Sequence, residues 1–466
     1  MFVPSSGRFL GVFVNSVFAE IEGVEHVLDN LQAVGATAIA TVPVVMRPST
    51  EGTRFPDLHW DGHQRVLSRP LWGGEFECRV QAFSAHVPHA VRFQGSPYEP
   101  LPTLLDGRDA GTNPVKDLIE AAQARGMETH LMLHPFGPRG ANDRDLPKLI
   151  DGSAPRPPTV NRQTCLNNPS GQRYAEALIL DTLDSYPIVD GLFLDWAEFG
   201  AYRIEDNFSC FCAHCAQRAD ELGYDWEAIE RDVGALWRRL HHLSSAHIGL
   251  ARAMLRNPSR LLAALIRYPG LESFLRFKAR TVVDFYRGVR GLLDSEGHRS
   301  VNLSARGWPP PWSHSSGMRY SGLAEVCEAV TPKLFLFDYS AMPRWYGETI
   351  QAWNPGLGET EILDSVVEWM QLPDDRAPRT FGDYRIPPPD EDHPAAPSIY
   401  GERINEVAAQ VGGGAKVYPF AHAYMPDRQW EEMIDVVRRS EADGMWVQMY
   451  GYLSNDKLAI LSNQYG

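Results

Sequence analysis

Residues 190–215 read DGLFLDWAEFGAYRIEDNFSCFCAHC, and the reading of this stretch decides the fold. The apolar run Leu192-Phe193-Leu194 is too short, and too closely flanked by acid, to be a helix core. Residues 191–196 are therefore expected as a short buried β-strand. Two carboxylates follow at its C-terminal end: Asp195 where the strand stops and Glu198 one short turn beyond. A carboxylate at the mouth of a barrel strand faces a half-dry cavity, the kind of place where pKa values shift and acid/base or nucleophilic work is done. In the plainer alternative, Asp195 caps the following loop and Glu198 is solvated.

The same stretch ends in a cysteine cluster, Cys210-x-Cys212-x2-Cys215, so three of the six cysteines fall within six residues. A secreted disulfide scaffold would spread its pairs through a much smaller chain, which favours metal binding. Three thiolates this close suit one tetrahedral ion, and Zn²⁺ prefers such a closed set. The fourth ligand is expected from a neighbouring loop, Cys165 in RQTCLNNP, with His214 as the local substitute. Four thiolates leave no position for water, so the ion would be structural and would pin the loops carrying Asp195 and Glu198.

Outward from this stretch, strand and helix patterns alternate. Residues 9–15 (FLGVFVN) form a first strand, 23–34 an amphipathic helix stopped at Gly35, and 37–45 a second strand. That is a βαβ unit, whose usual product is a parallel sheet. Residues 47–112, rich in Pro, Gly, His and aromatics, break the rhythm and read as a lid or substrate-binding excursion, the plainer alternative being a structural flap with a small hairpin near 75–83. Further strands are expected at 127–134, 299–304, 333–338, 415–421 and 444–450. Residues 216–293 read as a long helical insertion, either lid or partner surface. Eight strands, each followed by helix, give a single α/β (β/α)₈ barrel over 1–466, with long loops after strands 2, 3 and 4. A doubly wound sheet would want a glycine-rich phosphate turn after the first strand, and Asn15-Ser16-Val17 supplies none.

The 466 residues are 44 % hydrophobic and 11 % aromatic, ample for a packed core. Net charge is −15 with acid and base interspersed and no basic stripe, which argues against nucleic acid or an anionic membrane as partner. No apolar run reaches the length of a membrane span. The N-terminus lacks a basic region and a cleavage site before its first apolar run. The expected location is the cytoplasm, unless a leader has been removed. A homo-oligomer is compatible with all of this.

Active sites of barrels gather at the C-terminal ends of the strands. The expected ends are Asn15, Arg47, His134, Asp195, Asn302, Asp338, His422 and Tyr450, with Trp196, Trp308, Trp312, Tyr339 and Tyr424 just beyond. Flat aromatic faces beside hydrogen-bonding groups suit pyranose rings, so Asn15, His134, Trp196, Asn302, Trp308, His422 and Tyr450 are the candidate sugar contacts. Asp195 and Asp338 are the candidate carboxylate pair of a glycosidase. Next-but-one strands end roughly 10 Å apart, close enough for side chains to converge on a sugar.

The Cys165 loop, the carboxylate-bearing fourth strand and the C-x-C-x2-C cluster together resemble the zinc-containing β-galactosidases of glycoside hydrolase family 42. The segment AEFG at 197–200 resembles that family's N-E-Y-G, which implies a general acid/base role for Glu198. Ala197 stands where the family has Asn, and KVYPFAHAYMP offers no glutamate to match its nucleophile. DGLFLD also resembles the barrels grouped as hypothetical glycosyl hydrolases and the α-galactosidase and α-glucosidase clan. That resemblance implies Asp195 as nucleophile and Asp338 as acid/base. The likeness covers about residues 127–340 and points to a galactosidase- or glucosidase-like hydrolase. The alternatives are a metal-dependent sugar isomerase or lyase, with Asp195, Asp338, His134 and His422 around an open ion, and a catalytically silent carbohydrate-binding barrel.

Overall fold

A computed structural model describes residues 8–56, 65–104, 113–156, 163–372 and 380–465. In chain order the strands are β1 (Phe9–Phe13), β2 (Ala38–Thr41), β3 (Val44–Phe55), β4 (Cys78–Ser84), β5 (Glu128–Leu133), β6 (Gly191–Leu194), β7 (Asn302–Gly307), β8 (Ala329–Leu334), β9 (Lys416–Val417), β10 (Phe420–His422) and β11 (Gly444–Gln448). All but β3 and β4 form one parallel sheet in the order β10-β11-β1-β2-β5-β6-β7-β8-β9, closed by a β8–β10 pairing. The two short strands β9 and β10 act as one broken stave, so the sheet is an eight-stave (β/α)₈ barrel with helices around it. β6 lies between β5 and β7, with Leu194 level with Leu133 and Ala305.

Side chains two apart on a strand share a face, and the inner face here is layered. The lower layer is aromatic: Phe193 meets Trp446 at 4.9 Å and Phe420 at 5.9 Å between ring centroids, and Trp446 meets His130 at 5.1 Å. Gly11 makes room for this layer, because a β-carbon there would collide with the Trp446 indole. Two residues further along β6, β7, β8, β10 and β11 come Asp195, Arg306, Lys333, His422 and Gln448, so the polar layer stands directly on the aromatic one.

Several expected boundaries move. The sixth stave is Ala329–Leu334, and the apolar residues after it begin the helix Leu336–Trp353. Asp338 therefore lies in the first turn of that helix and not at a strand end. The fifth stave starts at Asn302, which puts this residue at the barrel's N-terminal end, opposite Asp195. The first excursion is built on the antiparallel hairpin β3–β4, longer than the one expected; its residues 57–64 and 105–112 lie outside the described residues, as do 157–162 of the loop after β5. The helical insertion comprises Ala213–Glu221, Trp226–Leu240, Ser245–Leu255, Pro258–Arg267 and Pro269–Ser295. Among the described residues no helix is long and apolar enough to cross a membrane.

Candidate active site

Asp195 follows the last residue of β6, and its backbone N–H donates to Leu133 O at 2.9 Å, continuing the β5–β6 ladder one step past the strand end. Its carboxylate is nearly sealed off, 5 % exposed, and is ringed by cations. Arg306 Nη1 lies 3.3 Å from Oδ2, Lys333 Nζ 3.1 Å from Oδ1, and His134 Nδ1 3.9 Å from Oδ2. Burial alone would raise this carboxyl; the Arg306 guanidinium and Lys333 ammonium outweigh it and hold the group below the usual carboxylate range. His134, 39 % exposed, is the most open of these side chains, and burial with the two nearby cations keeps its imidazole below its ordinary value.

Glu198 sits deeper. Lys333 Nζ donates to Oε1 at 2.9 Å, and the Trp308 backbone N–H donates to Oε2 at 3.0 Å. Burial pushes this carboxyl up, against the pull of Lys333. Lys333 is thus a fully buried ammonium shared by two carboxylates, and the Trp196 indole covers it with its ring centroid 3.6 Å away. Trp196 turns back over the site because its backbone is left-handed, φ 62°. Lys333 and Arg306 did not figure among the residues expected from sequence. A signal was present: Ser304/Arg306 and Thr331/Lys333 follow the two-residue period of an inward face once the strand limits are known.

Asp338 is buried and accepts a hydrogen bond from Tyr202 Oη at 3.1 Å. The Tyr202 ring packs on Trp196 at 5.5 Å and Trp308 at 4.8 Å, which ties the Asp338 helix to the loop following Asp195. Asn15 donates to Met449 Sδ at 3.1 Å beside the end of β11. His422 is enclosed by Phe335, Phe337 and Tyr452, receives the Tyr424 backbone N–H on Nδ1 and pairs through Nε2 with Arg65. Tyr450 points away from the mouth: its hydroxyl donates to Glu22 and accepts from Asn30. The expected sugar contacts therefore divide. His134 and Trp196 border Asp195 directly, Trp308 backs Glu198, and Asn302 and Tyr450 are directed elsewhere.

His422 and the fully buried His393 are both held neutral, His393 down at about 3, in each case chiefly by burial. The unfolded chain takes up protons near pH 6.5 that the folded chain refuses, so stability is lost as pH falls below that value. Denaturant titrations from pH 7.5 to 5.5 should show a loss of about 1.4 kcal/mol per such histidine per pH unit below 6.5. His393→Gln should flatten the slope by about one proton, and an unchanged slope would remove His393 from the account.

Cys165, Cys210, Cys212 and Cys215 converge as expected: all are buried, and their sulfurs lie within 4.8 Å of one another. Cys165 Sγ is 3.4 Å from Cys215 Sγ and 3.5 Å from Cys212 Sγ, near the spacing of about 3.8 Å that four thiolates take around one ion. Backbone N–H groups of Lys148 and Asn167 donate to Cys210 and Cys165, and the Asn167 amide donates to Cys215. Such donors are what thiolate ligands require around them. The donor set fits a metal ion, and His214 is not part of it. Among the described residues this is the one cluster of converging ligand atoms, so Asp195, Asp338, His134 and His422 do not assemble a second.

No protein-family model matches the chain, and no curated protein does. In fold the chain is a (β/α)₈ barrel. It aligns with the β-galactosidase of the psychrophilic Marinomonas ef1 at TM-score 0.50 and 8 % identity, covering 98 % of this chain and 58 % of that one. It aligns equally with the polyextremophilic β-galactosidase of the Antarctic haloarchaeon Halorubrum lacusprofundi, at TM-score 0.50 and 12 % identity, covering 98 % of this chain and 57 % of that one. The chain spans a little over half the length of both enzymes. At such identities the likeness is one of fold.

Proposed function

We propose that the protein hydrolyses a glycosidic bond at the C-terminal end of the barrel, with Asp195 as nucleophile and Asp338 as acid/base. The observation that carries this reading is a buried strand-end carboxylate held ionised by Arg306 and Lys333 beside a half-open histidine. In the first step an Asp195 oxygen bonds to the anomeric carbon while the glycosidic C–O bond breaks, and the Asp338 proton passes to the departing oxygen. Water then cleaves the glycosyl ester, returning its proton to Asp338, so the anomeric configuration is retained. Glu198, which takes the Lys333 ammonium and the Trp308 N–H, positions Lys333 in this reading and is the substitute for either carboxyl role. Trp196, His134 and Asn15 are the sugar contacts this reading keeps. The four cysteines hold Zn²⁺ as a structural ion that ties the loops after β5 and β6.

The direct test is a screen of nitrophenyl glycosides, galactosides and glucosides first, with product release followed over time. Glycan binding without product would replace hydrolysis by a binding role. On an active substrate, Lys333→Met should move the acid limb of the kcat/KM profile to higher pH, because one of the charges holding Asp195 low is gone. A profile that loses height without shifting would make Lys333 a merely structural group.

A further inference from the structure

From Val233 to Leu271 the sequence contains no Asp or Glu and six arginines, within a chain of net charge −15. Acid and base are not interspersed here, unlike the chain as a whole. The middle of this run forms the helices Ser245–Leu255 and Pro258–Arg267. An ordinary amphipathic helix buries its apolar side and wets its polar side. The first of these helices buries Ile248 but also turns polar groups inward. Arg252 Nε donates to Glu368 at 2.7 Å, Arg256 Nη2 donates to Glu368 at 3.1 Å, and Ser245 donates to Glu361 at 3.1 Å, so the first helix is latched by polar groups onto the helix Glu359–Trp369. Aliphatic side chains also face outward on both helices, with Leu250 46 %, Leu255 42 %, Leu262 58 % and Ile266 72 % exposed. Of the nine large apolar side chains exposed among the described residues, these four fall within one short segment. Exposed aliphatic side chains gathered in one short segment mark a contact site.

We propose that helices Ser245–Leu255 and Pro258–Arg267 are the face on which this chain pairs with a second copy of itself. Charge selects that occupant. Arg260 and Arg267 are exposed beside the aliphatic stripe, and another copy brings an acidic surface at equal concentration. The helix that already receives Arg252 and Arg256, with Glu359, Glu361, Asp364 and Glu368 and no base, adjoins the stripe. A two-fold axis through the stripe would set leucine and isoleucine against their equivalents and carry each copy's arginines toward the other's acids. A nucleic acid would have no use for the aliphatic side chains, and an anionic bilayer would repel the remainder of the chain.

Sedimentation equilibrium on the full chain tests this. The wild type should dimerise in the micromolar range, and Leu262→Asp/Ile266→Asp should weaken association at least about thirtyfold with unchanged circular dichroism. Ile266→Ser serves if the double variant fails to fold, and should weaken association in the same direction. Arg260→Glu/Arg267→Glu should weaken it too and reduce its dependence on salt. A wild type that stays monomeric at tens of micromolar overturns the proposal, as does a dimer indifferent to these substitutions. A monomer that binds phosphatidylglycerol vesicles through Ile266 would reassign the face to a lipid surface and overturn it as well.

Discussion

Asp195→Asn is expected to lower kcat for glycoside cleavage by at least about three orders of magnitude, because the amide cannot form the ester to the anomeric carbon. The chain should still fold: asparagine keeps the shape, and Glu198 remains on Lys333 to balance its charge. The two carboxyl roles separate by rescue. With Asp195→Ala, added azide should restore turnover and give a glycosyl azide of inverted configuration. With Asp338→Ala, substrates with good leaving groups should still form the ester, and azide should give the retained product. Asp195→Asn with activity near wild type would remove this residue from the mechanism and leave the polar layer of the barrel without its proposed chemistry.

The second large effect is expected from the cysteine cluster. Purified without chelator, the protein should carry one zinc per chain, and Cys215→Ser should lower its occupancy sharply. Loss of a structural zinc costs about 5 kcal/mol or more, and in a chain of this length we expect the melting temperature to fall by about 5–10 °C. Activity should fall with it. The loop leaving β6 carries Tyr202 on its way to Cys210, and Tyr202 is the group that holds Asp338. A metal-free protein with an unaltered melt would show that the four thiols pack as small apolar side chains and nothing more. Activity lost on chelation while the melt stays unchanged would point instead to an ion acting at the substrate.

The parts legible in the sequence were the ones written locally. Leu192-Phe193-Leu194 between acids reads as a buried strand with no knowledge of its neighbours, and the spacing of Cys210, Cys212 and Cys215 reads as a ligand set. Cys165 could be joined to them because adjacent staves have adjacent loops. What escaped was set by burial from several sides at once. The first half of the helix Leu336–Trp353 is buried all round, including Leu336, Phe337, Asp338 and Tyr339 in succession, so its polar stripe begins only at Arg344 and its first turn imitates a strand. That error carried the sixth stave past its true end and hid Lys333 at the start of the expected strand. Arg306 was hidden for a related reason: a charged residue inside a barrel runs against the rule that charges lie outside, unless a partner such as Asp195 is already known to face it. Tyr450 misled because the chain leaves β11 at Gln448 and turns outward before reaching it.

Trp196 holds a backbone conformation in which glycine is at ease and a bulky L-residue is not, at a cost of order 1 kcal/mol or more. At this single position, durability and activity ask for different residues. Glycine would relax the turn, yet it would strip the indole from the Lys333 ammonium and open that charge to solvent. Engineering the barrel for heat resistance should therefore leave residue 196 alone and look for its gains on the outer helices.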